Sequence, residues 1–598
     1  MSLLREQFDL IAEAEGGPSR LRKLVLEAAV SGRLVAPDPK DLPVTPDGLA
    51  EAVNRSSAGK TLRRRSAAEL AIRLERPPVR NWLRVRLGDS LDRLLDFRGR
   101  TPRKLGLAWG GGDIPALSAL NVRDGSVDLT RTKHFGSDAL YDKWMTRGDA
   151  AKGDILFTME APLGNVALVP DDRRYILSQR VVLLKPVRGF VSPAFLAWLL
   201  RSPSFRRQLH ANTTGTTAKG IRASRFVELN VDLPPLAEQH RIVERIDELM
   251  DLIDRLEAAR DSREATRVAL RDAALAALRD ADSAEEVEVA WQRIAVRMDD
   301  LFTDPADVEP LRQTVLQLAV RGLLVPQDEG DEPGIALVER VAAERAQLVA
   351  ANRAKRSKPL PPVSEEEKPF DVPGDWGWIR LGQGLVDGPT NGWSPKSVDH
   401  DTGVRTLKLS ATTRGHFDGR HFKFVEADLD GDSPLWLRTN DLLIQRSNTP
   451  EYVGMAAIFD GPEQTFIYPD LMMRCRVSKR LSTAFVHLAL IAPYNRSWFS
   501  EKASGTSQSM VKLNQQAVRS TIIPLPPLAA QRRIVAKVGE LMGMLDRLRK
   551  TLESARTSHG AFAAAAIHHL DARDRDSSAR GVVPVRRRTR PPACGPTV

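Results

Sequence analysis

Several stretches of this 598-residue sequence carry residue types suited to binding phosphate, metal or a methyl donor, and none completes the pattern its chemistry needs. Gly59-Lys60-Thr61 ends like a phosphate-binding loop, but the first glycine of that loop would fall at position 54, where Asn54 stands; a linker turn is the reading. Trp109-Gly110-Gly111-Gly112-Asp113 is glycine-rich yet does not open a helix after a strand in a βαβ unit, as a dinucleotide or methyl-donor site requires. His416 and His421 have no further ligand at metal spacing and read as a surface turn. "PDD" (170–172) and "DLDGD" (428–432) read as solvated turns rather than nuclease carboxylates, and Met472–Met473 as core. An adenine methyltransferase would show an acidic residue or Asn followed by Pro-Pro and an aromatic. The Pro-Pro pairs here stand in RPPV, LPPL, LPPV, LPPL and RPPA. The chain is expected not to be an enzyme, to bind no metal and to hold no cofactor of its own.

The remaining chemistry is that of cations and amides. The net charge is +11, which favours a polyanionic partner. Residues 87–230 hold 22 Lys/Arg against 14 Asp/Glu, and residues 376–523 hold 17 against 14, so much of the excess lies in these two segments. Loop cations and amides able to reach phosphates or base edges are Arg103, Lys104, Arg123, Gln179, Arg180, Lys219 and Arg222 in the first segment. In the second they are Lys396, Arg405, Lys408, Gln445, Arg446, Ser447 and Lys512. Each is equally compatible with a solvated charge or a hydrogen bond internal to the fold.

What must position these residues is a duplication. "LPPLAEQHRIVERIDELMDLIDRLE" (233–257) and "LPPLAAQRRIVAKVGELMGMLDRLR" (525–549) agree at 15 of 25 positions. Upstream, "LRKLVLEAAVSGRLVAPDP" (21–39) matches "LRQTVLQLAVRGLLVPQDE" (311–329) at 10 of 19, and "NWLRVRLGDSL" (81–91) resembles "DWGWIRLGQGL" (375–385). The blocks keep one order, so the chain is two copies of a unit of about 290 residues. Apolar residues at Ile242, Ile246, Leu249, Ile253 and Leu256, and at Ile534, Val538, Leu541, Leu545 and Leu548, alternate spacings of four and three. That predicts helices packing along other helices, started by the Pro-Pro that cannot extend them backwards. The first helix is expected to run on through residues 264–281 with a break near Arg260–Ser262. Gly32 and Gly322 sit where C-terminal caps belong. Polar connectors follow each upstream helix and read as short helices in mobile linkers. Between the helical blocks, short apolar runs bounded by Gly, Asp and Pro predict strands of two mixed domains, unlike each other in sequence.

Only Cys475 and Cys594 are present, no run of eighteen apolar residues occurs, and the start lacks a signal-peptide pattern. These point to the cytoplasm and to no membrane.

The duplicated PPL-x-x-Q-x-R-I-V block, the twin "LVLEAAVSGRLV" and "VLQLAVRGLLVPQDE", and the strand-rich segments with "GDILFTMEAPLGNVALV" and "DLLIQRSNTPEYVG" resemble the specificity subunit of type I restriction-modification systems across nearly the whole chain. The resemblance implies an α+β fold with an internal pseudo-twofold repeat: two mixed α/β target-recognition domains joined by long antiparallel coiled-coil helices. It divides the chain into an N-terminal helical part of the scaffold (1–35), a linker (36–80), target-recognition domain 1 (81–232) and a central conserved helical region (233–325). A linker (326–374), target-recognition domain 2 (375–524), a C-terminal conserved helical region (525–572) and a disordered basic tail (573–598) follow. Each domain would read one half of a bipartite site in double-stranded DNA. The implied partners are two modification (methyltransferase) subunits, which bring S-adenosylmethionine and methylate adenine, and motor-nuclease restriction subunits. Ala530 and Gly539 depart from Glu238 and Asp247 of the first copy. The rival reading is a free-standing bipartite DNA-binding or architectural protein with no enzyme partner.

Overall fold

The computed structural model describes residues 16–56, 81–178, 180–213, 220–351, 358–507 and 510–579. The chain divides into two compact units, residues 1–262 with 559–598, and residues 263–558.

In the first unit, helix α1 (Gly17–Val30) is closed by Gly32 at φ +71°, with the Arg33 N–H returned to the Ala28 carbonyl at 2.9 Å. Helix α2 (Pro46–Ser56) follows. Strands β1 (Leu83–Arg86), β2 (Leu91–Asp96), β3 (Ile114–Leu117) and β4 (Phe135–Gly136) lead to helix α3 (Asp138–Trp144). Then come β5 (Ile155–Thr158), β6 (Val166–Leu168), β7 (Ile176–Leu177) and β8 (Val181–Pro186), helices α4 (Pro193–Arg201) and α5 (Pro203–Ala211), strand β9 (Asn230–Leu233) and the long helix α6 (Leu236–Arg279). β1 pairs antiparallel with β9 and so ties the two ends of the domain together. Inside that closure lie a four-stranded sheet, β2-β8-β5-β6, and a three-stranded sheet, β4-β3-β7, in which β3 and β7 run parallel.

The second unit repeats the plan. Helices α7 (Ala284–Val296), α8 (Val308–Arg321) and α9 (Ala336–Ala350) precede the closing strand β10 (Gly377–Arg380). Strands β11 (Leu385–Asn391), β12 (Ser397–Val398), β13 (Arg405–Leu407), β14 (Phe422–Val425), β15 (Leu442–Gln445), β16 (Ser447–Asn448), β17 (Ala456–Ile458), β18 (Phe466–Ile467) and β19 (Met472–Val477) follow. Helices α10 (Thr483–Ile491) and α11 (Pro493–Lys502), strands β20 (Ser504–Ser507), β21 (Met510–Lys512) and β22 (Ile522–Leu525), and helix α12 (Leu528–Ala579) complete it. β10 pairs with β22, β11-β19-β15-β17 form the four-stranded sheet, and β13 runs parallel to β18 in a second sheet, β12-β14-β13-β18. A third small sheet, β16-β21-β20, is added. The two domains that look unlike in sequence therefore share one topology: inward positions tolerate any apolar residue of fitting size, so the sequences drift while the pairing stays.

The seams are core. Ile242, Ile246, Leu249 and Ile253 are buried with Leu21, Val25 and Ala29 of α1, and Leu256 is packed against them. Ile534, Val538 and Leu545 are buried with Leu311, Val315 and Ala319 of α8, flanked by Leu541 and Leu548. Each long helix thus packs along a shorter helix of its own unit, at the same register. Arg22 bridges to Asp254 at 2.5 Å and to Glu257 at 2.6 Å, and Arg312 to Asp546.

Three expectations change. α6 runs unbroken through Arg260–Ser262, because residues 236–279 contain no Gly or Pro and one serine does not stop a helix. The second linker is in part built into its unit: Leu337 and Val341 of α9 are buried, and Arg345 donates to the Gly382 carbonyl at 3.2 Å. The helix expected within residues 59–78 lies outside the described residues. α12 reaches Ala579, seven residues into the segment read as a disordered tail, and residues 580–598 are outside the described residues.

Candidate nucleic-acid interface

In the first domain the turn after β2 reads Gly99-Arg100-Thr101-Pro102-Arg103-Lys104. Thr101 caps a short 3₁₀ turn by accepting from the Lys104 N–H, and Lys104 Nζ donates back to the Gly99 carbonyl at 2.9 Å. The loop is held by its own hydrogen bonds while Arg103 and Lys104 stay exposed. Arg123 is half-buried in a turn, its N–H donating to the Ser126 carbonyl. Arg222 is exposed and opens the short helix Ala223–Phe226. Arg180 is exposed at φ +70°, a conformation a side chain disfavours, and faces Glu160 at 3.3 Å. Gln179 and Lys219 lie outside the described residues.

Arg180 and the turn after β2 line one cleft of about 440 Å³. Trp109 forms its aromatic wall, stacked on His134 with ring centroids 5.1 Å apart and tilted against Trp144 at 5.3 Å. Arg100 and Lys133 also line it. Arg100 is spent on the Lys143 and Trp144 carbonyls and Thr146 Oγ1, and lies over the Phe97 ring at 5.5 Å. Burial and the nearby Arg147 lower its affinity for its proton, and among the described residues no carboxylate pairs with it. This is a cationic, aromatic-walled recess.

In the second domain the equivalent turn reads Gly392-Trp393-Ser394-Pro395-Lys396. Ser394 Oγ donates to Asp470 Oδ1 at 2.5 Å, Arg446 donates to the Asp470 carbonyl at 3.2 Å, and the Leu513 N–H donates to the Arg446 carbonyl at 2.8 Å. These bonds bring Lys396, Arg446 and Lys512 to one neighbourhood. Ser447 sits opposite Lys512 in the β16–β21 pair but is buried. Gln445 is buried as well: its amide donates to the Leu409 carbonyl and to the Thr412 and Thr413 hydroxyls at 2.9, 2.9 and 3.1 Å, and its Oε1 accepts from Asn448 Nδ2 at 2.6 Å. Its hydrogen-bonding capacity is used inside the fold. Arg405 lies over Phe422 and Phe424, centroids at 4.7 and 5.6 Å, and Lys408 is exposed beyond β13.

The repeated hinge keeps the same two glutamine bonds in both units. Gln239 Oε1 accepts the Ser192 N–H at 2.8 Å, and its Nε2 donates to the Pro234 carbonyl at 2.8 Å. Gln531 Oε1 accepts the Ser482 N–H at 2.9 Å, and its Nε2 donates to the Pro526 carbonyl at 2.9 Å. One buried amide thus joins the Pro-Pro turn, the first helix after β8 or β19, and the start of the long helix. Arg241 forks onto Asp41 at 3.1 and 2.6 Å, and Arg533 onto Asp331 at 3.4 and 2.6 Å.

Comparison with known proteins bears on what carries this hinge. Residues 80–263 match the model for the type I restriction modification DNA specificity domain. The chain is 29% identical over 568 residues to the type I restriction enzyme EcoAI specificity subunit of Escherichia coli, and 28% identical over 576 residues to the EcoEI specificity subunit of the same species. Each alignment covers 90% of this chain and 91% of the relative. Over nine-tenths of its length the chain is similar to type I restriction enzyme specificity subunits. A solved chain from a study of type I R-M complex assembly aligns with a TM-score of 0.46 and 20% identity, over 81% of this chain and 96% of its own.

Residue types alone did not mark Arg100, Trp109, Lys133 and His134, which the fold brings together from separate loops. The signal for Arg100 was present: Gly-x-[Thr/Ser]-Pro-[Arg/Lys] occurs at 99–103 and 392–396. The hinge glutamine was also legible as an identity between copies. Among the described residues no cluster of His, Cys, Asp and Glu could hold a metal ion, and no helix is long and apolar enough to cross a membrane.

Proposed function

We propose that this chain is the non-catalytic DNA-sequence specificity subunit of a type I restriction-modification complex, with each strand-rich domain reading one half of a bipartite site. The observation that carries this is the duplication of a hinge, glutamine clamp included, under two domains of one topology and different loops. A frame used twice suits two equivalent partner subunits; loops free to differ suit two different half-sequences. Methyltransferase subunits carrying S-adenosylmethionine are the partners, joined by motor-nuclease subunits in the restricting form, and the chain works in the cytoplasm. The proposed DNA-contacting set is the exposed cations Arg103, Lys104, Arg180 and Arg222 with Lys219, and Lys396, Lys408 and Lys512 with the half-buried Arg446. Arg123 and Arg405 support these from half-buried positions, Gln179 precedes Arg180 in the sequence, and Gln445 and Ser447 shape the loop. The long helical segments set the gap between half-sites.

The test is to purify the tagged chain from its host and to map adenine methylation with and without its gene. A co-purifying methyltransferase and a bipartite methylated motif that vanishes on deletion are expected. Neither appearing would overturn the reading.

A further inference from the structure

The cleft of the first domain has the chemistry of a nucleotide site rather than of a flat duplex-binding surface. Its volume, about 440 Å³, falls in the range of roughly 300–1,000 Å³ typical of small-molecule pockets. It is too small to admit a duplex and large enough for one nucleotide. Its wall is the stacked pair Trp109 and His134, backed by the buried Trp144, and a planar base can be laid on that pair. Its reachable cations are Lys133 and Arg180, the latter facing Glu160 at 3.3 Å, and Arg100 adds positive charge from a position where its bonds go to neutral carbonyls and a hydroxyl.

The backbone is also unusual here. Ala161 and Arg180, both lining the cleft, hold φ of +38° and +70°. Such conformations cost energy and persist where surrounding bonds over-determine them. Here the Met159 N–H donates to the Arg180 carbonyl at 2.9 Å and the Ile221 N–H to the Met159 carbonyl at 3.1 Å. The second domain does not reproduce the chemistry: Arg100 is replaced by Trp393, and Arg180 by Leu471, whose carbonyl accepts from the Arg446 N–H as that of Arg180 does from Met159.

We propose that this cleft takes a single unstacked nucleobase together with its phosphate, the ring against the aromatic wall and the phosphate on Lys133 and Arg180. Resting on the DNA-specificity reading above, it means that the first domain reads its half-site partly by drawing one base out of the helix, and that the second domain does not. Extruding a base costs the pairing and stacking it leaves, so weakening that pair beforehand favours binding.

The test uses the full chain with its methyltransferase partners and the duplex site found by methylation mapping. Each base pair of the first half-site is replaced in turn by a mismatch that keeps one strand's base. Tightening of about tenfold or more at one position is expected, a tenfold change being about 1.4 kcal/mol. The gain should be lost in Trp109→Leu, and reduced in Lys133→Ala, whose exposed side chain can be removed without touching the core. Titrating the chain with free deoxynucleoside monophosphates, followed by tryptophan fluorescence, distinguishes the sources of the ligand. Saturable binding lost in Trp109→Leu, without a mismatch effect, would assign the cleft to a free nucleotide. Specific duplex binding with neither effect would overturn the inference and leave the DNA-specificity reading standing. No specific duplex binding would overturn both.

Discussion

The indole N–H of Trp376 donates to Oε1 of Gln327 at 3.0 Å. Its counterpart in the first unit, Trp82, donates instead to Oε1 of Glu238 at 3.1 Å. The exchange explains a departure between the copies. Where the first has Glu238 the second has Ala530, and where the second has Gln327 the first has Pro37, which offers no side-chain acceptor. Each unit satisfies its buried tryptophan once, from a different segment of the chain. Asp247 behaves alike: it accepts from Trp198 Nε1 at 3.2 Å, and in the second unit donor and acceptor vanish together as Leu488 and Gly539.

Glu238→Ala should therefore destabilise the first unit by about 1–3 kcal/mol, the cost of leaving a buried donor unmet. Adding Pro37→Gln, the second unit's solution, should recover part of that loss. Urea unfolding of the single and double variants measures both; a double variant no better than the single would show that the two acceptors are not interchangeable.

The same carboxyl gives a pH dependence. Burial raises the Glu238 pKa above its usual 4.5, opposed by the bonds from Trp82 and Asn81. The folded chain thus holds this proton more tightly than the unfolded chain. Stability from this group falls as pH rises from the usual glutamate range through the folded value. Glu238→Gln keeps the acceptor and removes the titration. It should be more stable than the parent at neutral pH, with the advantage disappearing below about pH 4. Melting temperatures across that range decide it.

Asp307 carries the opposite sign. Burial pushes its pKa up, but bonds from Arg267 and from the Asp304 and Thr303 N–H groups outweigh burial and hold it below the usual aspartate range. Arg271 also contacts it. Its contribution is present above the usual aspartate pKa and lost as pH falls through the folded value. Asp307→Asn removes the buried carboxylate shared by two guanidiniums that are 13% and 11% exposed; Arg267 keeps Glu264 and Arg271 keeps Asp272, so the loss should be about 1–3 kcal/mol. A loss under 1 kcal/mol at pH 7 would show that solvent reaches them.

On DNA, Lys104→Ala and Lys396→Ala should weaken binding with little sequence preference. Each should lower the slope of log affinity against log salt by about 0.9 if one phosphate contact is lost. Gln445→Ala should leave the slope alone and lower thermal stability, because its amide holds the 409–413 loop.

The duplication, the seams and the closing hinges were legible because they recur: Ile242 and Ile534, Gln239 and Gln531, Arg241 and Arg533 stand at one offset. The common topology of the two domains was not, because β-sheet cores constrain size and polarity rather than identity. The cleft was illegible for another reason. Arg100 and Trp109, Lys133, and Arg180 come from three separate connections between strands, and no sequence spacing marks residues that only tertiary contact assembles. Gln445 looked like a base reader because a polar residue at a strand end gives no sign of which partners the fold will supply.

The central claim, that one chain specifies two half-sites and the gap between them, is tested most directly by methylation mapping in a host carrying the chain with one added helical turn in each of the segments Leu236–Arg279 and Leu528–Ala579. The account predicts the same two half-sequences with a longer gap. An unchanged gap, or altered half-sequences, would contradict it.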